Sequence, residues 1–488
     1  MSTAPDVIVV GGGSCGSVLA ARLSEHPARQ VLLLEAGPRY AGIDDYPSQA
    51  LELGVLPVGA GSRRVWNYPA TLADEHAAVA VPGRGLGGSG AVNGGYFVRA
   101  TPQDLDGWGS PLWTYEQTLP FFRASETDLD YQDRWHGSAG PVPVRREAPE
   151  ALTALSHGFA QACSDVGCVA EPDKNAPGSA GIGPVPLNAR GARRIGPAVA
   201  YLLPVLSRPN LTVRGSTMVR RVVLAGGRAV GVEVDGPGGP EMIAADQVVL
   251  CAGGIGTPLL LLHSGMGPPR QLHALGIEPS HDLPGVGHAF NDHPEVAVPY
   301  LPLRELPLGR PALQMVLNTP EQLELRPYTA SFTDLIPGTP PLPPQLGVAL
   351  MQPRSRGSIR LRSSDPRVPP ALEHRYLQSE HDRSALRHGV EQALELFARP
   401  ALRGLGRPLD VEATDAWVLA HLGTSQHLCG SCRMGPDSDE FAVVDDRLRV
   451  RGVDGLRIVD TSVIPRVPSR GPHATAVMLA ERAAALLS

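Results

Sequence analysis

Val7-Ile8-Val9-Val10 is a short, unbroken apolar run, and Gly11-Gly12-Gly13-Ser14-Cys15-Gly16 follows it at once. A stretch of helical character then leads to a second apolar run, Val31-Leu32-Leu33-Leu34, which ends in Glu35-Ala36-Gly37. This order predicts a strand, a glycine turn, a helix and a second strand. Continuous apolar runs of this length suit strands buried on both faces. Further on, Leu211 to Val213, Val219 to Leu224, Ala229 to Val234 and Val248 to Cys251 are β-rich, with Gly226-Gly227 as a turn signal. They predict a small meander that returns to a buried central strand. Gly253-Gly254 and Thr257-Pro258 open a helix through Leu262. From about Pro294 to Pro370 the chain is proline-rich with mixed strand signals, as expected of a second domain. Gln378 to Phe397 and Asp415 to Leu422 read as helices. Leu456 to Asp460 reads as a strand ending in an acid, followed by a loop from Pro465 to Pro472 and a terminal helix from His473 to Leu487.

The opening unit carries candidate chemistry. Gly11 allows the tight turn, Gly13 lets backbone approach a pyrophosphate, and Gly16 lets the helix lie close to the strand. The helix N-terminus offers unpaired N–H groups to phosphate oxygens. Glu35 stands nineteen residues after Gly16, the spacing of an acid that bonds an adenosine ribose. One rival of a different class exists. Gly12-Gly13-Ser14-Cys15-Gly16 also fits G-x-S-x-G, the nucleophile elbow of a serine α/β-hydrolase. Only ten residues precede the glycine turn, too few for the strands and oxyanion loop such an enzyme needs, so the dinucleotide reading is favoured. A second glycine cluster, Pro82 to Gly95, is expected to wrap backbone against a flat ligand.

Composition narrows the function classes. The chain has 488 residues and a formal net charge of −6, with no basic cluster, which argues against nucleic acid as a partner. Its length favours two linked domains. Glycine (55) and proline (49) exceed a fifth of the residues, implying many turns and irregular excursions. A strand begins within six residues, leaving no space for a signal peptide. The best apolar run, Val248 to Leu262, is too short and too broken to span a bilayer. The expectation is a cytoplasmic protein without an integral membrane segment, with peripheral membrane contact left open. Cys429 and Cys432 form a CxxC beside His427, but no second pair completes a metal site, and no metal is expected.

Together these pieces resemble the glucose–methanol–choline (GMC) family of FAD-dependent oxidoreductases from Asp6 to the C-terminus. One family signature is similar to Gly83 through Asn93 with Thr101 to Trp108; another resembles Gly253 to Pro258 through Ser264 to Gly267, departing at Gly254. Pro284 to Gly287 with Asn291 to Pro294, and His427 through Gly435, match further family segments. The resemblance implies an α/β fold with a Rossmann-like FAD-binding domain of discontinuous segments and a smaller β-rich substrate-binding domain. Residues 1–293 would form the FAD part, with excursions near 38–80 and 110–195. Residues 294–414 would form the substrate domain, and 415–488 would return to the FAD domain. Gly11, Gly13 and Gly16 would hold the pyrophosphate, Glu35 the ribose, and Val219 the adenine through its backbone. Gly88 and Asn93 would lie beside the isoalloxazine, and Asp460 near the ribityl and phosphate end. Members with covalent flavin carry a histidine where this chain has Val92, so non-covalent FAD is implied.

The resemblance also makes His427 the base that removes the hydroxyl proton of an alcohol as hydride leaves its carbon. The family places a second polar residue opposite this base, and here that position is Gly471. His473, two residues later, would either complete a shifted catalytic pair or only cap the helix and touch the flavin. Tyr96 and Phe97 are candidate pocket walls. The compact length, Gly88 to Phe97, and His136-Gly137 through Val144-Arg145-Arg146 resemble the mycofactocin-associated branch. That branch implies reoxidation of a reduced peptide-derived redox cofactor, with electrons passed to a quinone or the respiratory chain, and dehydrogenase rather than oxidase behaviour. An ordinary alcohol or choline-type dehydrogenase or oxidase, and a hydroxynitrile lyase of the same fold, share these motifs.

Overall fold

The computed structural model describes residues 4–178 and 180–487. Val7–Val10 is buried at every position and lies between Val31–Leu34 and Gln247–Leu250, all parallel. Leu211–Arg214 and Leu456–Ile458 form the edges of this five-stranded sheet. Helix Ser14–Leu23 packs against the terminal helix His473–Leu487. Cys15 Sγ donates to the Ala476 carbonyl at 3.2 Å, and Arg22 grips Glu481 at 2.9 and 2.8 Å. The two ends of the sequence therefore form one layer of the dinucleotide domain. The meander appears as antiparallel strands Met218–Ala225, Arg228–Gly236 and Gly239–Ala244, and Gln247–Leu250 then returns to the parallel sheet.

A second core is built on a seven-stranded sheet that includes Pro294–Pro302, Gln345–Leu350, Leu323–Pro327, Met315–Asn318, Gly406–Pro408 and Leu422–Thr424. Helix Glu380–Ala398 packs on it. The chain crosses between the cores more often than a division at residue 293 anticipates. Ile182–Pro184 pairs with Met315–Asn318 in the second sheet, and helix Ala154–Asp165 contributes Phe159 and Ala162 to the second core. Conversely, Ala371–Glu373 pairs with Tyr68–Thr71, which in turn pairs with Ala77–Ala80.

Strand alternation explains how the second sheet furnishes a site. Successive side chains on a strand point to opposite faces. On Leu323–Pro327, Leu323 and Leu325 enter the apolar core, while Glu324 and Arg326 occupy the other face. On Pro294–Pro302, Val296, Val298 and Tyr300 are core, and Glu295 faces Arg326. That polar face is buried too, so its charges must be paired.

His136 and Arg146, singled out in the sequence, sit in a separate buried ion network. Arg146 pairs with Asp128 at 2.8 Å and Asp173 at 3.0 Å, and Arg99 pairs with Glu126 at 2.5 Å. His136 joins Asp173 at 2.8 Å and Asp128 at 3.0 Å. Burial would lower the His136 imidazole, but Asp128, Asp173 and Glu126 push it up to about 11, so it carries a charge. Among the described residues, no helix is long and apolar enough to cross a membrane.

Candidate functional site

The glycine turn is shaped by close approach. A Cβ on Gly16 would lie 1.8 Å from the Gly11 carbonyl oxygen, so only glycine lets the helix start there. The second glycine cluster folds onto the first: Gly87 N–H donates to the Gly12 carbonyl at 2.8 Å, and a Cβ on Gly88 would stand 2.7 Å from Gly13 Cα. Glu35 ties the two loops together. Its Oε2 accepts from Gly12 N–H at 2.7 Å, and its Oε1 accepts from Gly37 at 2.7 Å and Gly85 at 2.9 Å. Val219 is buried at a register shift in its strand. Asp460 is satisfied by its own chain: Oδ2 accepts from Gly253 N–H at 2.9 Å and Thr257 Oγ1 at 2.5 Å, and Oδ1 from Ser462 N–H at 2.9 Å. It thereby fixes the N-terminus of helix Gly253–His263.

Asn93 and His473 form a directed pair. Gly95 N–H donates to Asn93 Oδ1 at 2.9 Å, which leaves Asn93 Nδ2 to donate to His473 Nδ1 at 3.0 Å. His473 Nε2 must then carry the proton. It is buried and has no partner among the described residues, beside the close-approach point of Gly90. Burial, then the field of Arg194, pushes the His473 imidazole down to about 4, keeping it neutral. An orphaned N–H donor at the start of a helix, next to a cradle floored by Gly13 and Gly88, fits a flavin with electron-rich ring atoms. Gly11, Gly13, Gly16 and Gly88 fit the phosphates beside it. Ser14 borders the same space, since a Cβ on Gly90 would meet Ser14 Oγ at 2.5 Å and His473 Nε2 at 2.7 Å. With its Nε2 protonated, His473 offers Ser14 a hydrogen rather than a lone pair, which is the wrong state for a hydrolase base.

His427 belongs to a different cluster. Its Nδ1 lies 2.9 Å from His293 Nδ1, the rings perpendicular at 88° with centroids 5.1 Å apart. His293 Nε2 lies 3.0 Å from the Pro468 carbonyl oxygen. Asp292 Oδ1 accepts the backbone N–H of both His293 (2.7 Å) and His427 (2.6 Å). Thr424 Oγ1 donates to Asp292 Oδ2 at 2.7 Å. Burial would raise the Asp292 carboxyl, but His374, Thr424 and His427 hold it at about 2. Burial, then His293 and Arg326, pushes the His427 imidazole well below its ordinary value. His427 Nε2 makes no hydrogen bond among the described residues.

Gly471 lies next to His427: a Cβ there would be 3.5 Å from His427 Cε1 and 3.0 Å from Tyr96 Cδ1 and Cε1. The ring of Tyr96 therefore lies against the position left without a polar group. Tyr96 OH donates to Glu324 Oε2 at 2.8 Å, Arg326 Nε donates to Glu324 Oε1 at 2.7 Å, and Arg326 Nη1 to Glu295 Oε2 at 2.5 Å. Tyr328 OH donates to Glu295 Oε1 at 2.7 Å. Burial would raise Glu324, but Arg326, Asn318 and Tyr96 hold it at about 2. Phe97 lies apart from this wall, edge-on to His473 at 5.4 Å. The structure thus joins His473 to Asn93 and Phe97, and His427 to His293. Asp292, His293, Glu295, Glu324 and Arg326 were not identified from sequence as site residues. The available signals were Asn291-Asp292-His293 as a motif and the Leu-Glu-Leu-Arg alternation.

Two family models described as GMC oxidoreductase match residues 5–295 and 353–480. The chain is 51% identical over 485 residues to an "uncharacterized GMC-type oxidoreductase in thcA 5'region" of Rhodococcus erythropolis, covering 99% of this chain and 98% of that one. It is 34% identical to an oxygen-dependent choline dehydrogenase of Klebsiella pneumoniae, covering 98% and 95%. Among solved structures, pyridoxine 4-oxidase from Mesorbium loti superposes with a TM-score of 0.91 at 30% identity, covering 99% and 98%. Formate oxidase shares the fold, with a TM-score of 0.88 at 24% identity.

Proposed function

This chain belongs to the GMC oxidoreductase family, whose cofactor is FAD, and we propose that it works as a dehydrogenase of a CH–OH donor with His427 as the base. The observation that carries this reading is the unpaired Nε2 of His427, a ring held in its neutral form beside Gly471 and Tyr96. Bound FAD supplies the hydride acceptor. His427 takes the hydroxyl proton at Nε2, Tyr96 packs against the donor, and His473 with Asn93 presents an N–H to the flavin rather than a second base. A hydroxynitrile lyase would leave the flavin oxidised. Anaerobic addition of alcohols should therefore bleach the flavin absorbance, and a donor that is turned over without bleaching would reject the reading.

Buried Val92 at the usual attachment position supports non-covalent FAD. Acid precipitation is expected to release a yellow supernatant with the absorbance of free FAD, and colour retained in the pellet would refute this.

The branch resemblance supports a dehydrogenase over an oxidase. Reduced enzyme is expected to persist in air yet reoxidise quickly with a quinone analogue or dye, and rapid peroxide formation would overturn this. The branch resemblance supports a reduced peptide-derived cofactor of the mycofactocin type as donor, with a quinone or respiratory acceptor. A choline-like donor is disfavoured, because both nearby glutamates are already paired with Arg326 and so are not free to meet a quaternary ammonium.

A further inference from the structure

We propose that His293 is a positioning residue that sets the tautomer of His427 by relaying the hydrogen-bond polarity of the Pro468 carbonyl. The inference rests on His427 being the base and deepens that reading. A carbonyl oxygen only accepts hydrogen bonds, so the 3.0 Å contact requires the proton of His293 to sit on Nε2. In a neutral imidazole the other nitrogen, Nδ1, then bears a lone pair. The 2.9 Å contact between the two Nδ1 atoms therefore needs the proton on His427 Nδ1. His427 is left with its lone pair on Nε2, the nitrogen without a partner among the described residues. Without the relay, a proton resting on Nε2 would block the same ring from accepting one.

The surroundings hold the relay in place. Asp292 Oδ1 fixes the backbone of both histidines, so neither ring can shift along the chain. The other charged groups whose fields reach the pair are Arg326 and Glu324, which are bonded to each other. Burial, which outweighs the field of Asp292, pushes His293 down to about 4, so it stays neutral and keeps its lone pair at physiological pH. Once His427 takes the substrate proton, its Nδ1–H bond to His293 becomes charge-assisted and stronger. The arrangement thus favours the protonated base more than the resting one, as catalysis requires.

The test combines two substitutions with a direct readout of the proton. His293→Leu removes the acceptor, whereas His293→Gln keeps it, since the amide oxygen can accept from His427 and the amide nitrogen can donate to Pro468. With FAD bound in all cases, His293→Leu should slow flavin reduction by roughly 10²–10³-fold, below the roughly 10⁴-fold cost of a wrong tautomer in a serine protease triad. KM should change little, and His293→Gln should recover most of the rate. Nitrogen-15 NMR of histidine-labelled protein, with His427→Ala to identify the signal, should show His427 protonated at Nδ1 in the native protein and in His293→Gln. Native signals placing the proton on Nε2 would overturn the proposal without any variant. So would a wild-type rate in His293→Leu, or equal losses in both variants. An undiminished rate in His427→Ala would instead reject the base itself.

Discussion

Replacing His427 with alanine is expected to leave FAD bound and to slow flavin reduction by about 10²–10⁴-fold, the usual worth of a positioned general base. The side chain meets Nδ1 of His293 and lies beside Gly471, and no residue of the phosphate cradle depends on it. FAD content and the flavin spectrum should therefore match the native protein, while stopped-flow reduction isolates the chemical step. The acid limb of the rate profile follows from the same environment. His427 is held well below the ordinary histidine value, so the base form is populated across neutral pH. The reduction rate should stay flat through neutrality and fall only as pH drops below the usual histidine range, when Nε2 acquires a proton. Stability should follow the same sign: a buried histidine with a depressed value is stabilising when neutral, and that contribution is lost on acidification. An unchanged reduction rate in His427→Ala would remove the residue from the mechanism.

How far this site can be read from sequence depends on how local each determinant is. The dinucleotide unit was legible because strand, glycine turn, helix and Glu35 all lie within 37 residues, and two of the three backbone N–H groups on Glu35, those of Gly12 and Gly85, come from the two glycine loops that sequence singled out. The terminal helix begins at His473, as the loop before it suggests. The second sheet was harder, because Ile182–Pro184 reaches it from a segment whose pattern also fits the first domain. His293 stood within a matched segment, but its role depends on a carbonyl 175 residues away. Glu324 and Arg326 show the alternation of a strand with one wet face. Only the folded structure reveals that this face is buried and must pair its charges, with Tyr96 as the link to the pocket.

Adding a single methyl at Gly471 is expected to slow flavin reduction by about 10²-fold, the cost of a misplacement near 1 Å at a reacting centre. A Cβ there would sit 3.0 Å from two ring carbons of Tyr96, closer than ordinary van der Waals contact allows, and 3.5 Å from His427 Cε1. The tyrosine has little freedom to yield. Its hydroxyl is bonded to Glu324, which Arg326 and Asn318 fix in turn. The strain should therefore pass to His427 and the bound donor. Gly471→Ala with Tyr96→Leu relieves the contact by removing the anchored ring, so the double variant should be faster than Gly471→Ala alone. Such non-additivity is expected only for residues that touch. If the two losses simply add, Tyr96 does not form the wall opposite His427, and the pocket is bounded there by another group.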